Sequence, residues 1–443
     1  MKKCFVACFC LIVCVFSAFA EKYDALPVWQ QMKQNVKQAV YTGDRVYSQC
    51  TYPDTANDLV DAEMRALIDE MEQRGRPFMP KRGSDLMPAY LDVGSTIFHT
   101  GEKWMSFLTI ARIAAEREQT YVDFDARVYN IESGERIALS DLFPEESPVW
   151  ELFSQAVEQQ LTAYFINEAP DEKVLEMLCR KEQISQTPFT LTPAKISFHY
   201  RADALYPGKN TLMHVNLYYS QIREYMTDAG KEMTDNSRYK MIALTYDDGG
   251  ARGSSMNVMN ELRKFGANAT FFVVGTTIRS NHDVLCREHD AGYAVQSHNY
   301  QHIYENLTTD RIMKWKDRFD QELDEVIGTR PAYMRAPGGL FHEYEKAKVG
   351  LPFIRWSANS NDSDNKNVQN VATRVIYSVK DGSVVLLHDL NPVSYQYSKI
   401  FLENLQEKGF LFVTVDELFS HYGVPLEDNT VYYGCEEIAA QQK

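Results

Sequence analysis

Two adjacent carboxylates, Asp247 and Asp248, stand at the end of a short apolar run in the middle of the chain. The run Met241-Ile-Ala-Leu244 is typical of a buried strand, and Gly249-Gly250 break it at its carboxyl end. In parallel α/β folds, loops gather catalytic groups at that end of the strands. Because neighbouring carboxylates repel each other, we expect one to bind a metal ion and the other to act as a base. The alternative is a surface Asx turn that caps the next helix.

A pair of histidines four residues apart, His298 and His302, follows the apolar segment Tyr293-Ala-Val295. Histidines at this spacing can face one cation, and imidazole nitrogens suit zinc, cobalt or nickel. A carboxylate would complete a set of three ligands with open positions for water and substrate. A structural role would explain the two histidines on their own, but their position after the Asp-Asp strand end favours a metal site. We therefore expect one divalent metal ion, Zn²⁺ in the first place, with Co²⁺ or Ni²⁺ as alternatives.

Three further strand ends carry groups that fit a hydrolytic site. Arg335 precedes the rigid Pro337-Gly338 turn, whose backbone N–H groups can face an oxyanion. His388 ends the apolar run Val384-Val-Leu-Leu387 and is a candidate general acid, and Asp362 ends another strand-like segment. Taken singly, a salt bridge explains Arg335 and a satisfied core histidine explains His388. Together, and in this order, they indicate one catalytic site.

The segments around these residues alternate between strand and helix patterns. After residue 240, short apolar runs are separated by segments with helical periodicity, namely 256–265, 283–290 and 308–327. Such alternation predicts a parallel sheet, here as a closed barrel. From about residue 89, earlier segments alternate apolar and polar residues as half-buried antiparallel strands do, and a helix is expected over 148–167. We therefore predict an α/β barrel preceded by a smaller α+β domain.

Residues 238–425 resemble the polysaccharide deacetylase (NodB-homology) family, carbohydrate esterase family four. The matching segments are Thr245-Tyr-Asp-Asp-Gly249, Ser297-His-Asn-Tyr-Gln-His302, Arg335-Ala-Pro-Gly-Gly339, Asn359-Ser-Asn-Asp362 and Leu386-Leu-His-Asp389. The resemblance implies a distorted (β/α)7 barrel that binds one divalent metal ion. It also implies removal of N- or O-acetyl groups from glycans such as peptidoglycan, chitin oligomers and xylan.

The resemblance gives each motif residue a role. The metal ion would be held by Asp248, His298 and His302. Asp247 would be the general base, oriented by Arg335, and His388 the general acid, paired with Asp362. The backbone N–H of Gly338, after Pro337, would stabilise the oxyanion, and Leu387 would line the pocket for the acetyl methyl group.

Four positions depart from the family pattern. Gly250 replaces a usual Pro, Gly338 a common Tyr, Asn359 a usual Asp and Ser363 a usual Trp. Because that Trp normally forms a wall of the acetyl pocket, its absence affects substrate preference. The groups that would bind metal or move protons are all present, so we expect an active enzyme.

The first twenty residues have the pattern of an export signal. Lys2-Lys3 precede an apolar stretch, Cys4 to Phe19, and Ala18-Phe19-Ala20 is a cleavage-type sequence. An uncleaved membrane anchor and a lipoprotein signal ending at Cys14 are the alternatives. No later segment of the sequence has the apolar length to span a bilayer, so we expect a secreted, periplasmic or cell-envelope protein without a stable membrane span.

The predicted organisation has five parts: a signal peptide (1–20), a helical N-terminal segment and linker (21–88), an α+β extracellular module (89–235), the deacetylase barrel (236–426) and a peripheral acidic tail (427–443). Residues 45–227 resemble the extracellular modules ahead of deacetylases and in some bacterial envelope sensors. The similar segments are Tyr52-Pro53, Tyr129-Asn-Ile-Glu-Ser-Gly134 and Leu139-Ser-Asp-Leu-Phe143.

The net charge restricts the possible partners, and the cysteine content restricts the possible disulfides. A net charge of −15 argues against a nucleic-acid partner. Outside the signal, four widely spaced cysteines allow two disulfides or isolated thiols: Cys50, Cys179, Cys286 and Cys435.

The leading hypothesis is a secreted glycan N-deacetylase that acts on peptidoglycan or chitooligosaccharide. The alternatives are an O-acetyl xylan esterase and an envelope glycan-binding or sensing protein without turnover.

Overall fold

The front part of the chain forms a mixed six-stranded sheet, seen in a computed structural model that describes residues 33–41, 45–81, 83, 88–250 and 252–442. The strands pair in chain order; β2 and β3 run parallel, and the other neighbours run antiparallel. They are β1 (Lys33–Tyr41), β2 (Val46–Asp54), β3 (Ala89–Thr100), β4 (Trp104–Ala115), β5 (Glu118–Asn130) and β6 (Arg136–Ile137). The strands predicted after residue 89 are therefore confirmed, but β3 and β4 are buried along almost their whole length and not half-buried.

Helix α1 (Asp58–Gly75) covers one face of this front sheet. The side chain of Asn57 caps it by accepting the N–H groups of Leu59 (3.1 Å) and Val60 (3.3 Å). Apolar residues three and four positions apart form one stripe that packs on the sheet, namely Val60, Met64, Leu67, Ile68 and Met71.

The helical prediction is wrong for residues 33–41 and 46–54, which form β1 and β2. Apolar spacing in this stretch fits a helix locally, but β2 pairs with β3 from Val46↔Ala89 to Cys50↔Val93. A partner that lies about forty residues away along the chain decides the conformation, and local periodicity does not report it. The predicted signal peptide and residues 84–87 of the predicted linker lie outside the described residues.

A second, antiparallel sheet joins the front sheet to the barrel. It consists of β7 (Phe189–Leu191), β8 (Lys195–Arg201) and β9 (Leu212–Tyr218). The helix predicted over 148–167 is present as α3 (Val149–Thr162) and packs beside this sheet. Shorter helices connect these elements: α2 (Leu139–Leu142), α4 (Glu172–Leu178), α5 (Lys181–Ile184), α6 (Ala202–Leu205), α7 (Tyr219–Ile222) and α8 (Asp228–Met233).

The second half of the chain is built on a parallel sheet with the order β12-β11-β10-β15-β14. Its strands are β10 (Lys240–Asp248), β11 (Thr270–Val273), β12 (Ala294–Ser297), β14 (Ala358–Asn359) and β15 (Val384–His388), and β16 (Phe410–Val413) pairs with the first half of β10. Bridges from Ser297 to Met334 and from Met334 to Phe353 extend the sheet past β12 to β13 (Phe353–Ile354). The chain from β13 to β14 then returns to β15, so the sheet curls on itself and the predicted distorted barrel is confirmed.

Helices surround this curled sheet and bury one side of each strand. They are α9 (Ser254–Lys264), α10 (His282–Asp290), α11 (Thr309–Ile327), α12 (His342–Ala347), α13 (Val368–Ser378), α14 (Ser394–Glu407) and α15 (Val415–His421). Alternate residues of β10 face opposite ways, as strand geometry requires. Leu244 and Tyr246 join the cluster beneath the helices, whereas Met241 and Ala243 pack on the inner side.

The last residues are part of the fold, so the prediction of a peripheral tail is wrong. Strand β17 (Val431–Tyr432) pairs in parallel with β13, and helix α16 (Glu436–Gln441) follows it. Cys435 is buried, and its N–H donates to Gly382 O at 2.7 Å. These contacts depend on a strand partner about eighty residues earlier, which the acidic composition of the tail does not reveal.

The described part of the chain contains four free thiols, those of Cys50, Cys179, Cys286 and Cys435, so the alternative of isolated thiols holds there. None of the helices formed by the described residues has both the length and the apolarity to cross a membrane.

Candidate active site

The turn after β10 directs Asp247 and Asp248 to different partners. Asp248 has a positive φ of 78°, and Gly249 follows with a φ of 41°. A Cβ at Gly249 would lie 2.6 Å from Val273 Cγ1, so this position requires glycine. The N–H of Gly249 donates to Asp389 Oδ1 at 3.1 Å and fixes the turn. Backbone strain of this kind is concentrated at functional sites.

Asp248, His298 and His302 bring three ligand atoms to one point. Asp248 Oδ1 lies 3.6 Å from His298 Nε2 and 3.5 Å from His302 Nε2, and the three atoms lie within 4.8 Å of one another. Asp248 is the last residue of β10, and the two histidines lie in the loop after β12; the parallel pairing of β10, β11 and β12 brings both to one edge of the sheet.

The donor set fits a divalent metal ion. His298 Nδ1 lies 2.9 Å from Arg335 O, so its N–H donates to that carbonyl and Nε2 keeps its lone pair for a cation. Among the described residues, the buried Asp248 Oδ1 has no hydrogen-bond partner. A buried carboxylate oxygen without a partner is costly, and a cation would satisfy it. His298 is 2 % exposed and His302 is 43 % exposed, so the site is open on one side.

Arg335 holds the other carboxylate. Its Nη1 donates to Asp247 Oδ1 and to Thr245 Oγ1, both at 2.7 Å. Nε donates to Ile354 O at 3.0 Å and Nη2 to Arg355 O at 2.9 Å, so the fully buried guanidinium is fixed in one orientation. Asp247 Oδ2 is left on the side of His298 Nε2, 3.8 Å away.

His388 lies beside Asp247 on the neighbouring strand, because β10 and β15 pair in the register Asp247↔His388. Its Nδ1 lies 2.7 Å from Asp362 Oδ1, and its backbone N–H donates to Asp362 Oδ2 at 2.8 Å. Tyr397 Oη also donates to Asp362 Oδ2, at 2.6 Å. Burial opposes the charged imidazolium, but the hydrogen bond and the charge of Asp362 outweigh it and raise the pKa of His388 to about 9.

The Pro337–Gly339 turn lies beside Tyr304, whose ring centroid is 6.2 Å from that of His302. Gly338 is exposed with a φ of 64°, and the N–H groups of Gly339 and Leu340 are used within the turn, whereas no hydrogen bond of the described residues uses the N–H of Gly338. A Cβ placed on Gly338 would lie 3.9 Å from Tyr304 Cδ1. The absence of a side chain at 338 therefore leaves an open face next to an exposed aromatic ring, with one N–H group available.

The placement expected for Leu387 is wrong. Leu387 is fully buried in the cluster between the sheet and the helices, with Tyr246 and Val385. Because side chains alternate along a strand, Leu386 is the residue that shares the face of His388. The sequence shows two adjacent leucines, and only the packing of β15 shows which one faces the cleft.

Four supporting residues were not predicted from the sequence: Thr245, Ser360, Asp389 and Tyr397. Thr245 and Asp389 lie within matched motifs and are adjacent to or near the candidate catalytic residues. Tyr397 is thirty-five positions from Asp362, and no sequence pattern links the two.

Comparisons with known proteins agree with this architecture. Residues 234–350 match the family model of polysaccharide deacetylases. The peptidoglycan-N-acetylglucosamine deacetylase PgdA of Listeria monocytogenes is 26% identical over 310 residues, which cover 69% of this chain and 66% of that protein. A peptidoglycan-N-acetylglucosamine deacetylase of Bacillus cereus is 30% identical over 195 residues, 41% of this chain and 89% of that protein. The chain thus spans just under two thirds of the length of PgdA.

Two solved structures are each similar to less than half of this chain. A family 4 acetyl xylan esterase from Clostridium thermocellum, in complex with a cobalt ion, is 29% identical and covers 44% of this chain and 98% of its own, with a TM-score of 0.41. The peptidoglycan deacetylase PdaC from Bacillus subtilis is 24% identical and covers 46% of this chain and 94% of its own, with a TM-score of 0.41.

The fold and the residues at its strand ends define the class, an α/β barrel with a candidate metal site (Asp248, His298 and His302) close to the paired residues Asp247 and His388. The chain belongs to the polysaccharide deacetylase family.

Proposed function

We propose that the protein is a metal-dependent deacetylase that hydrolyses N-acetyl groups of peptidoglycan or chitin-type glycans to amine and acetate. The observation that carries this proposal is the pairing of Asp247 with His388 on adjacent strands beside the Asp248-His298-His302 set. Asp247 can accept a proton and His388 can donate one, and the two residues lie opposite each other on β10 and β15. The predicted export signal favours a reaction in the cell envelope or outside the cell.

The metal ion, held by Asp248, His298 and His302, would supply Lewis-acid activation of water and of the acetyl carbonyl. Asp247 takes the proton of the attacking water on Oδ2, because Oδ1 is engaged by Arg335. The water oxygen forms the new bond to the acetyl carbon, and the N–H of Gly338 donates to the developing oxyanion.

The carbon–nitrogen bond breaks only if the departing nitrogen receives a proton. His388 gives it from Nε2, since Nδ1 is held by Asp362. Asp362 does not take part in proton transfer; it orients the imidazole and favours its charged form. The products are a glycan amine and acetate.

The test is acetate release from N-acetylglucosamine oligomers and from peptidoglycan with added Zn²⁺ or Co²⁺. Wild type is compared with Asp248→Ala, His388→Ala and, as a matched control, His342→Ala, which removes an exposed histidine from α12. Metal-dependent release by wild type and His342→Ala, lost in the other two, supports the proposal. No release from either glycan by a folded, metal-loaded protein would overturn it.

A second candidate function is O-acetyl ester hydrolysis on xylan. It is favoured by Ser363, which is exposed where the family usually has a tryptophan wall, so the acetyl pocket is less enclosed. Relatives named in the comparisons include a bifunctional xylanase/deacetylase of Pseudobutyrivibrio xylanivorans, 30% identical over 43% of this chain. A higher kcat/KM on acetylated xylan than on chitooligosaccharide would establish this alternative. Glycan binding without acetate release would favour the binding-protein hypothesis.

A further inference from the structure

We infer that Arg355, at the edge of the candidate active site, binds a carboxylate carried by the glycan substrate. Arg355 directly follows β13, and the carboxyl ends of the barrel strands carry the candidate catalytic groups. The inference rests on the proposed function for the position of the acetyl group, and it adds a substrate class, the acidic glycans. The side chain of Arg355 has no part in the proposed hydrolysis.

The backbone of Arg355 is fixed on both sides. Its N–H donates to Tyr432 O at 2.7 Å, because β17 pairs in parallel with β13, and its carbonyl accepts from Arg335 Nη2 at 2.9 Å. Arg335 in turn donates to Asp247, the candidate base. Hydrogen bonds of the backbone therefore set the position of Arg355 relative to the candidate catalytic groups, and a substitution of its side chain leaves them in place.

The side chain of Arg355 packs against the Pro337–Gly339 turn. A Cβ placed on Gly339 would lie 3.1 Å from Arg355 Nε and 2.8 Å from Trp356 Cη2, and Gly339 has a φ of 68°, so this position requires glycine. The residue before it, Gly338, carries the N–H group proposed to stabilise the oxyanion. The guanidinium therefore lies close to the point where the acetyl group would react.

Three aromatic rings contact the guanidinium and hold its orientation. Arg355 Cζ lies 5.2 Å from the ring centroids of Trp356 and Tyr433 and 5.7 Å from that of Phe341. The negative face of an aromatic ring attracts a cation, but it does not neutralise the charge as a carboxylate does. The guanidinium is therefore held in place before a ligand arrives, which lowers the entropy lost on binding.

No carboxylate of the described residues pairs with Arg355. Its Nη1 donates to Tyr433 Oη at 3.2 Å, and its Nε is buried without a hydrogen-bond partner in the part of the chain that the structure describes. The chain has 61 acidic residues against 46 basic ones, so the lack of a partner does not reflect a shortage of carboxylates. The charge of Arg355 is thus available to a ligand, and the planar donors of arginine match a carboxylate.

Exposed rings on both sides of the turn extend the surface for a sugar chain. Tyr433 is 48 % exposed beside Arg355, and Tyr304, which lies next to Gly338, is 51 % exposed. Tyrosine rings present an apolar face and a polar edge, which suits sugar rings with their apolar faces and hydroxyl edges. A sugar chain that lies across the turn therefore contacts aromatic rings, with the charge of Arg355 beside it.

Two kinds of acetylated glycan carry a carboxylate. In peptidoglycan, the muramic acid units carry it on a lactyl ether, on the ring carbon next to the one that bears the acetamide. In xylan, uronic acid side groups carry it. Chitin oligomers have no such group. A carboxylate site at Arg355 therefore favours an acidic glycan over a chitin oligomer, and the charged group is the same for both sources.

The experiment is calorimetric titration of the full chain, at constant ionic strength, with a carboxylate probe and with the same probe converted to its neutral methyl amide. The first probe is an oligosaccharide of alternating N-acetylglucosamine and N-acetylmuramic acid, and the second is a xylooligosaccharide with a glucuronic acid side group. The parent protein is Asp248→Ala, which prevents the proposed hydrolysis and removes a metal ion that a carboxylate can ligate. Added to it are Arg355→Gln, Arg355→Lys or, as a control, Arg180→Gln, an exposed arginine that pairs with Glu176.

We expect the parent protein to bind a carboxylate probe about tenfold more tightly than its methyl amide, the effect of one charge-assisted hydrogen bond. Arg355→Gln should abolish this preference, Arg355→Lys should retain part of it because the positive charge remains, and Arg180→Gln should leave it unchanged. A purely structural role of Arg355 would weaken both forms of the probe equally. In the metal-loaded enzyme, Arg355→Gln should raise KM for the carboxylate form with little change in kcat.

Equal affinity of the parent protein for the carboxylate and amide forms of both probes would overturn the inference, as would a preference that persists in Arg355→Gln. Absence of binding of every probe to the folded protein would overturn it as well. A preference confined to the first probe would identify the lactyl carboxylate as the ligand, and one confined to the second would identify the uronic acid. If wild type released no acetate but the preference that depends on Arg355 were present, the proposed function would be wrong and this inference would stand.

Discussion

His388 and Asp362 are joined twice, through the imidazole Nδ1 at 2.7 Å and through the backbone N–H of His388 at 2.8 Å. The double contact holds the ring and the end of β15 against the same carboxylate, which is fully buried. The imidazole therefore cannot rotate away without breaking a hydrogen bond inside the protein. Both the orientation and the charge of the candidate general acid depend on this pair.

The pH dependence of hydrolysis should reflect the pairing of His388 with Asp362. Because the pKa of His388 is raised to about 9, kcat/KM on a chitooligosaccharide should be retained up to about pH 9 and fall above it. Asp362→Asn should lower kcat and move this alkaline limit toward the unshifted histidine value of 6.5. Ser363→Ala, next to it and exposed, is the control. An unmoved alkaline limit in Asp362→Asn would show that His388 is not the acid.

The same shift makes a prediction for stability. A histidine whose pKa is higher in the folded state stabilises the fold fully below its unfolded pKa, about 6.5, and this contribution is lost as the pH rises through about 9. The free energies of unfolding of wild type and His388→Gln, measured by urea denaturation, should therefore differ by an amount that decreases between pH 6.5 and pH 9. A difference that grows with pH would contradict the ion pair.

Removal of Arg335 should destabilise the protein strongly. Arg335→Met leaves Asp247, Thr245 and two backbone carbonyls without their donor, and breaking a buried charge pair costs about 3–5 kcal/mol. Arg180→Met, which removes an exposed arginine whose partner Glu176 is also exposed, should stay within about 0.5 kcal/mol. The free energy of unfolding from urea titration measures both. Equal costs for the two variants would mean that Arg335 does not hold the turn.

Gly249 and Gly253 form a matched pair for the strained turn. Gly249→Ala puts a Cβ 2.6 Å from Val273 in a residue with a positive φ, and should cost about 1–3 kcal/mol with loss of metal affinity. Gly253→Ala meets nothing within 4 Å and should be nearly neutral. Thermal unfolding with and without Zn²⁺ distinguishes the two variants. If Gly249→Ala bound Zn²⁺ like wild type, the turn would not position Asp248.

Alanine substitutions at Leu386 and Leu387 should have different effects: one mainly on activity and the other mainly on stability. Leu387→Ala opens a cavity beneath the helices and should cost about 2–5 kcal/mol with little change in KM. Leu386→Ala alters the face of β15 that carries His388 and should change kcat or KM more than stability. Steady-state kinetics together with urea denaturation test both. The opposite assignment of effects would restore the placement of Leu387 at the cleft.

The candidate site could be predicted largely from sequence because each of its residues lies at or shortly after a strand end. The residue types of Asp247, Asp248, His298, His302 and His388 set their chemistry, and strand-helix alternation places strand ends at one edge of a parallel sheet. The resemblance to a family added the roles of the individual groups. Those roles stay predictions, whereas the proximity of the groups is a feature of the structure.

By itself, the sequence determined the class of fold, the identity of the candidate ligands and the order of the motifs, since these follow from local composition and spacing. Tertiary structure alone decided the rest: that residues 33–41 and 46–54 form strands, that Leu386 rather than Leu387 shares the face of His388, that residues 431–432 join β13, and that Asp92 pairs with Arg287. Each of these depends on a partner distant along the chain. Hydrogen-bonded strand pairing and burial act between such partners, and periodicity within one segment carries no information about them.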